Sequence, residues 1–165
     1  MDNTKLHQIK KGLYEMAFLD IKRASDGQSK MGAFILASCF IDQVAGFVKG
    51  GYTTRDDYKQ FVKDYLPTLY DSEKLYTDLR CKLVHNYSEG GSYLFTNSSR
   101  DQHGREIHGK LIINLENFIE DLEAALRKLL DEIEDDPVKA ANAERRLDEI
   151  GLLGVVTVPM PVQDA

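Results

Sequence analysis

Apolar positions at Leu6, Ile9, Leu13, Met16, Ala17, Ile21 and Ala24 recur at steps of three and four, which predicts one amphipathic helix over residues 2–25. Tyr14 and Phe18 widen its stripe, and Asp26-Gly27-Gln28-Ser29 reads as a loop. Over residues 30–49 the pattern changes. Phe34, Ile35, Leu36, Cys39, Phe40, Ile41, Val44, Phe47 and Val48 surround the axis, so this helix is expected at the centre. Gly32, Ala33, Ala37, Ala45 and Gly46 let neighbours approach closely, and Gly50-Gly51 ends it. Thr54 with Asp57 is a helix-start pattern for a short helix carrying Phe61, Val62, Tyr65 and Leu66, which Pro67 stops. Asp71 or Ser72 can cap the next helix. Leu75, Leu79 and Leu83 step along it by four, and it should run through His85 and end before Ser88-Glu89-Gly90-Gly91.

Beyond that point the period is no longer helical. Tyr93-Leu94-Phe95 and Leu111-Ile112-Ile113 are short β-like runs separated by polar residues 96–110, which predicts a β-hairpin with a long, mobile tip. Helical spacing returns with Leu115, Phe118, Ile119, Leu122, Leu126, Leu129, Leu130 and Ile133. Asp135-Asp136-Pro137 breaks that helix and starts a last one carrying Ala141, Leu147 and Ile150, with Gly151 closing it. The expected fold is mainly α: an up-and-down bundle of four to six helices with one β-hairpin insertion at about residues 92–114. One domain is expected over residues 1–151, followed by an extended tail over 152–165.

A length of 165 residues suits a single core, and 42% hydrophobic with 29% charged residues is ordinary for a globular chain. No apolar run reads as a membrane span, and Met1-Asp2-Asn3-Thr4-Lys5 does not begin a secretory signal, so a cytoplasmic location is expected. The net charge of −6 argues against a general nucleic-acid coat protein but is compatible with an enzyme holding a local basic patch. Cys39 and Cys81 fall among apolar neighbours and read as two buried thiols. Asp101, His103 and His108 lie on no helix that would align two imidazoles, so they read as a solvated tip rather than a metal site. Arg100, Arg105 and Lys110 in the same stretch read as charges that keep an exposed edge soluble.

Candidate chemistry concentrates in Arg80-Cys81-Lys82-Leu83-Val84-His85-Asn86-Tyr87. Histidine titrates near neutrality and can take or give a proton. Arginine stays charged and holds phosphate oxygens with a planar fork. Together they suit RNA cleavage by the adjacent 2′-hydroxyl, with no metal or other cofactor required. Lys82, Asn86 and Tyr87 are supporting candidates. On an ideal α-helix, residues five apart point about 140° from each other. Fraying near Tyr87 or a second subunit is therefore expected to bring Arg80 and His85 together. Asp42, on the most apolar helix, needs a partner if buried, and Arg80 or His85 can supply one.

The R-x4-H-x-Y pattern of Arg80, His85 and Tyr87 resembles the motif of HEPN toxins, the helical partners of small nucleotidyltransferases in toxin–antitoxin pairs. The resemblance implies a homodimer with a composite cleft and metal-independent endoribonuclease action that leaves a cyclic phosphate. It also implies modification of Tyr87 with AMP groups by a nucleotidyltransferase antitoxin. Cys81 stands where the family often has Asn. A non-catalytic, dimeric RNA- or nucleotide-binding module is the alternative. Taken singly, each residue also has a plain structural reading: Arg80 as a surface ion pair with Asp78 or Glu89, His85 as a helix-terminal residue, and Tyr87 as an interface aromatic.

Overall fold

The computed structural model describes residues 3–87 and 91–152. The expectations for residues 88–90 and for the tail from residue 153 fall outside the described residues. Helix α1 covers residues 3–26, with α-helical ends and a π-wound middle, Lys11–Phe18. Helix α2 is Lys30–Lys49 and α3 is Arg55–Tyr65. Helix α4 covers residues 72–86 and is π-wound over Leu75–Leu83. Strands β1 (Tyr93–Thr96), β2 (Glu106–Ile107) and β3 (Lys110–Asn114) precede helices α5 (Leu115–Asp135) and α6 (Pro137–Glu149).

The caps explain the boundaries. Thr54 and Asp57 form the reciprocal capping box that the sequence suggests. Asp71 starts α4 by accepting the Glu73 and Lys74 N–H groups, and Asp136 starts α6 ahead of Pro137. Gly50 closes α2 in the left-handed conformation. Helix α6 covers that end as well: Asn142 Nδ2 donates to Val48 O at 2.9 Å, and Arg145 Nε donates to Gly50 O at 2.7 Å. The free carbonyls of one helix are thus bonded by side chains of another.

Helix α2 is the axle. It touches all five other helices and buries Phe34, Phe40, Ile41, Val44 and Phe47 among them. Its 20 residues are long and apolar enough to cross a membrane by length and composition, which the sequence reading did not anticipate. Here that apolarity is spent on the core.

The β-hairpin expectation is corrected. Tyr93–Thr96 pairs with Leu111–Asn114 in parallel, and β3 lies between β1 and β2. The hairpin is instead β2–β3, closed by His108-Gly109 with φ of 50° and 75°, as a tight two-residue turn requires. Residues 97–109 reach the dozen or so that a parallel crossover needs, so the chain can return to the start of the partner strand. Nor is the segment an open tip: it holds a 3-10 turn at Arg100–Gln102, and His103 turns inward.

Candidate functional site

The π-winding of α4 decides the geometry of the site. A π turn bonds residue i to i+5, so residues five apart share a face. Arg80 and His85 therefore meet within one chain, with Arg80 Nη1 3.4 Å from His85 Nε2. The expectation that fraying or a second subunit must unite them assumed α-helical winding, and the local winding removes that need. Tyr76 and Cys81, also five apart, lie against each other on the same turn.

Behind the pair stands Asp42 of α2, whose carboxylate accepts from Arg80 Nε. Each of these two side chains is about a quarter exposed. Burial holds the Asp42 carboxyl above the usual carboxylate range, against the pull of the guanidinium. For Arg80, burial pulls downward, but the bond to Asp42 leaves the group above its ordinary value. A half-buried pair of this kind adds little net stability. Its evident effect is to fix the guanidinium, leaving Nη1 toward His85 and Nη2 without a hydrogen bond among the described residues. Arginine only donates, so the contact is a hydrogen bond only while the imidazole is neutral and Nε2 presents its lone pair. A protonated ring loses it.

The remaining candidates separate. Lys82 turns to Asp78 at 2.8 Å. Asp78 is 2% exposed and also accepts the Ser92 N–H at 2.9 Å, so it buttresses α4 against the start of β1. Asp78 is thus not the partner of Arg80, and Glu89 lies outside the described residues. Lys82 is held in a structural pair with Asp78. Asn86 and His85 are exposed. Tyr87 is 69% exposed and ends α4 in the left-handed conformation, with φ 50° and ψ 39°.

That conformation costs a bulky side chain roughly 1–2 kcal/mol, and an exposed ring gains little packing in return. Tyr87→Gly is therefore expected to raise the unfolding free energy by about 0.5–1 kcal/mol, read from urea denaturation. A loss of stability would mean that the ring is held by contacts and not merely displayed.

Sequence reasoning missed two flanking side chains. Cys39 is exposed and Cys81 half-buried, so the expectation of two buried thiols is corrected. Cys39 and Leu36 of α2 line an apolar groove of about 260 Å³ with Met16 and Ala17 of α1 and with Phe40. Cys39 lies close enough to Arg80 and Asp42 to feel both charges. The other miss is Tyr76, at the far side of Cys81, where burial pushes the phenol up. For Tyr76 the signal in the sequence is its five-residue spacing to Cys81, the same as that of Arg80 to His85; for Cys39 the sequence holds none.

The arrangement offers a lone pair, a fixed cation and an approach from solvent. Among the described residues no group of three or more His, Cys, Asp or Glu side chains gathers in a metal-binding cluster. Comparisons of the chain with protein-family models, with curated proteins and with solved structures return no match.

Proposed function

We propose that this chain is a HEPN-type, metal-independent endoribonuclease of the cytoplasm, acting as a toxin or antiviral effector. The observation that carries the reading is the Arg80–His85 contact at 3.4 Å on an exposed face, with Asp42 orienting the guanidinium from behind. When the RNA phosphate draws Arg80 Nη1 off the imidazole, the freed lone pair of His85 Nε2 takes the proton of an RNA 2′-hydroxyl. The 2′-oxygen forms a bond to the adjacent phosphorus, and the bond from phosphorus to the 5′-oxygen breaks. That oxygen leaves with a proton taken from solvent water, giving a 2′,3′-cyclic phosphate and a 5′-hydroxyl, and the imidazolium returns its proton to solvent. Arg80 holds the phosphoryl oxygens as charge grows on them.

Homodimerisation and a nucleotidyltransferase antitoxin belong to the same proposal. Tyr87 is exposed beside the pair, where an added AMP group would set negative charge and bulk in front of Arg80. The test is incubation of purified protein with RNA in EDTA, with product ends identified. Cyclic phosphate ends that vanish in His85→Ala are expected. Intact RNA across structured and unstructured substrates would end the proposal.

A second reading is favoured by Asp42, which already occupies Arg80 Nε, and by Cys81 next to it. In this reading the chain is a non-catalytic, HEPN-like RNA- or nucleotide-binding module. It requires Arg80-dependent binding without turnover, and multiple-turnover cleavage excludes it.

A further inference from the structure

The side chain of His103 is only 9% exposed, and both of its ring nitrogens are engaged. Nδ1 accepts the backbone N–H of Asn114 at 3.0 Å. That bond requires an unprotonated Nδ1, so the neutral ring carries its proton on Nε2. Nε2 faces the Tyr70 hydroxyl at 3.2 Å, and that hydroxyl donates to Asp121 Oδ2 at 2.6 Å. Tyr70 is 4% exposed and packs on Phe118 of α5.

Asn114 is the second half of the device. It is fully buried and caps α5, accepting the Glu116 and Asn117 N–H groups through its side chain. Its Nδ2 donates to Ser98 O at 3.0 Å. A helix-starting residue often has its own N–H satisfied from within the helix by a side chain at the third position. Here that N–H is satisfied by His103 from the insertion. Residues 97–109 are thus bolted to the first turn of α5 at both Ser98 and His103.

We propose that His103 is an acid-released latch, which ties the 97–109 insertion to α5 and Tyr70 when neutral and lets it open when protonated. An imidazolium presents N–H at both nitrogens. At Nδ1 that places a donor against the donating Asn114 N–H, in a pocket with little water. The groups facing the ring are known from each element packed on it. Asp121 on α5 is 3.6 Å from Nε2, and Tyr70 comes from the connection before α4. Asn114 comes from the end of β3. Of the insertion's own charged groups, Arg100 pairs with Glu116 and Glu120, Arg105 pairs with Asp101, and Glu106 is exposed on β2. Asp121 favours the cation, but it acts at Nε2, which already holds a proton, and cannot restore the bond lost at Nδ1.

The pH direction follows from the same geometry. Burial holds His103 below its ordinary value, outweighing Asp121. The open form therefore binds more protons than the closed form, so acid favours opening. Closure is complete above roughly pH 6.5, where the freed ring is neutral, and weakens as pH falls below it.

Hydrogen exchange of the whole chain at pH 7.5 and pH 5.5, corrected for intrinsic rates, tests this. The Gly104 and Ile112 amides, bonded to Ile112 O and Arg105 O, report on the insertion, and amides of α2 serve as the control. Protection at Gly104, Ile112 and Asn114 is expected to fall on acidification, by up to tenfold per pH unit for one proton, with α2 unchanged. His103→Asn, whose Oδ1 can accept at the Nδ1 position without titrating, is expected to flatten this response. Insertion amides that keep their protection at pH 5.5 overturn the proposal. So do ring ¹⁵N spectra of the unmodified protein placing the neutral proton on Nδ1, a readout that does not depend on any variant folding.

Discussion

Arg80→Ala is expected to lower RNA cleavage by about a thousandfold or more, the scale on which a single cation at a transferring phosphoryl group acts. The guanidinium reaches Asp42 and His85 together. Its removal takes away the charge proposed to meet the phosphoryl oxygens, and it frees the imidazole from its fixed neighbour. The fold should survive. Asp42 is left without its partner, but it is about a quarter exposed and its carboxyl already lies above the usual range, so it can take up a proton. A stability loss of only about 1–2 kcal/mol is expected from the unmet acceptor. Arg80→Lys keeps the charge but loses the fork that serves Asp42 and His85 at once, so it should not restore the rate. Initial cleavage rates in EDTA, paired with urea denaturation of the same variants, separate lost chemistry from lost fold. A cleavage rate in Arg80→Ala within tenfold of the unmodified protein would remove the guanidinium from the mechanism.

The largest stability effect is expected at Phe34. This residue is 1% exposed on the central helix, with ring centroids 4.6 Å from Phe95 and 6.1 Å from Phe118. It is therefore where α2, β1 and α5 lean on one ring. Phe34→Ala should cost about 3–5 kcal/mol, because the lost apolar contact is compounded by a cavity that three elements cannot all move to fill. Against a total of about 5–15 kcal/mol, that is enough to bring the chain near its threshold. A shift in the urea midpoint equivalent to less than about 1 kcal/mol would show that the sheet closes onto α2 without this ring.

Much of the bundle was legible because helices bury stripes. The periodicity from Leu115 to Ile133 and the all-round apolarity of residues 30–49 translated directly into α5 and the central α2. Caps at Thr54 and Asp136 were equally plain, since a short oxygen-bearing side chain has few better uses there. The sheet was legible only as two apolar runs. Parallel or antiparallel pairing depends on where the connection travels, and residues 97–109 are polar whichever way they run.

The π turns were hidden for a different reason. Leu75, Leu79 and Leu83 step by four, a spacing that suits α and π winding alike. The clue lay in pairs five apart. Leu13 and Phe18 are both fully buried in the π-wound part of α1, and Arg80 and His85 meet across α4. Arg80 and His85 were thus readable from sequence as candidates. Their common face was not, because bonding at i to i+5 instead of i to i+4 turns a separation of about 140° into a contact.

The most direct test is complementation between two inactive variants. Arg80→Ala and His85→Ala chains, separately tagged and co-expressed, are purified as mixed species and assayed for RNA cleavage beside the unmodified protein. If each chain supplies its own arginine and histidine, the unmodified protein cleaves and the mixed species remains as silent as either variant alone. Cleavage recovered in the mixed species would mean that the working pair is formed between chains, which contradicts the single-chain contact on α4.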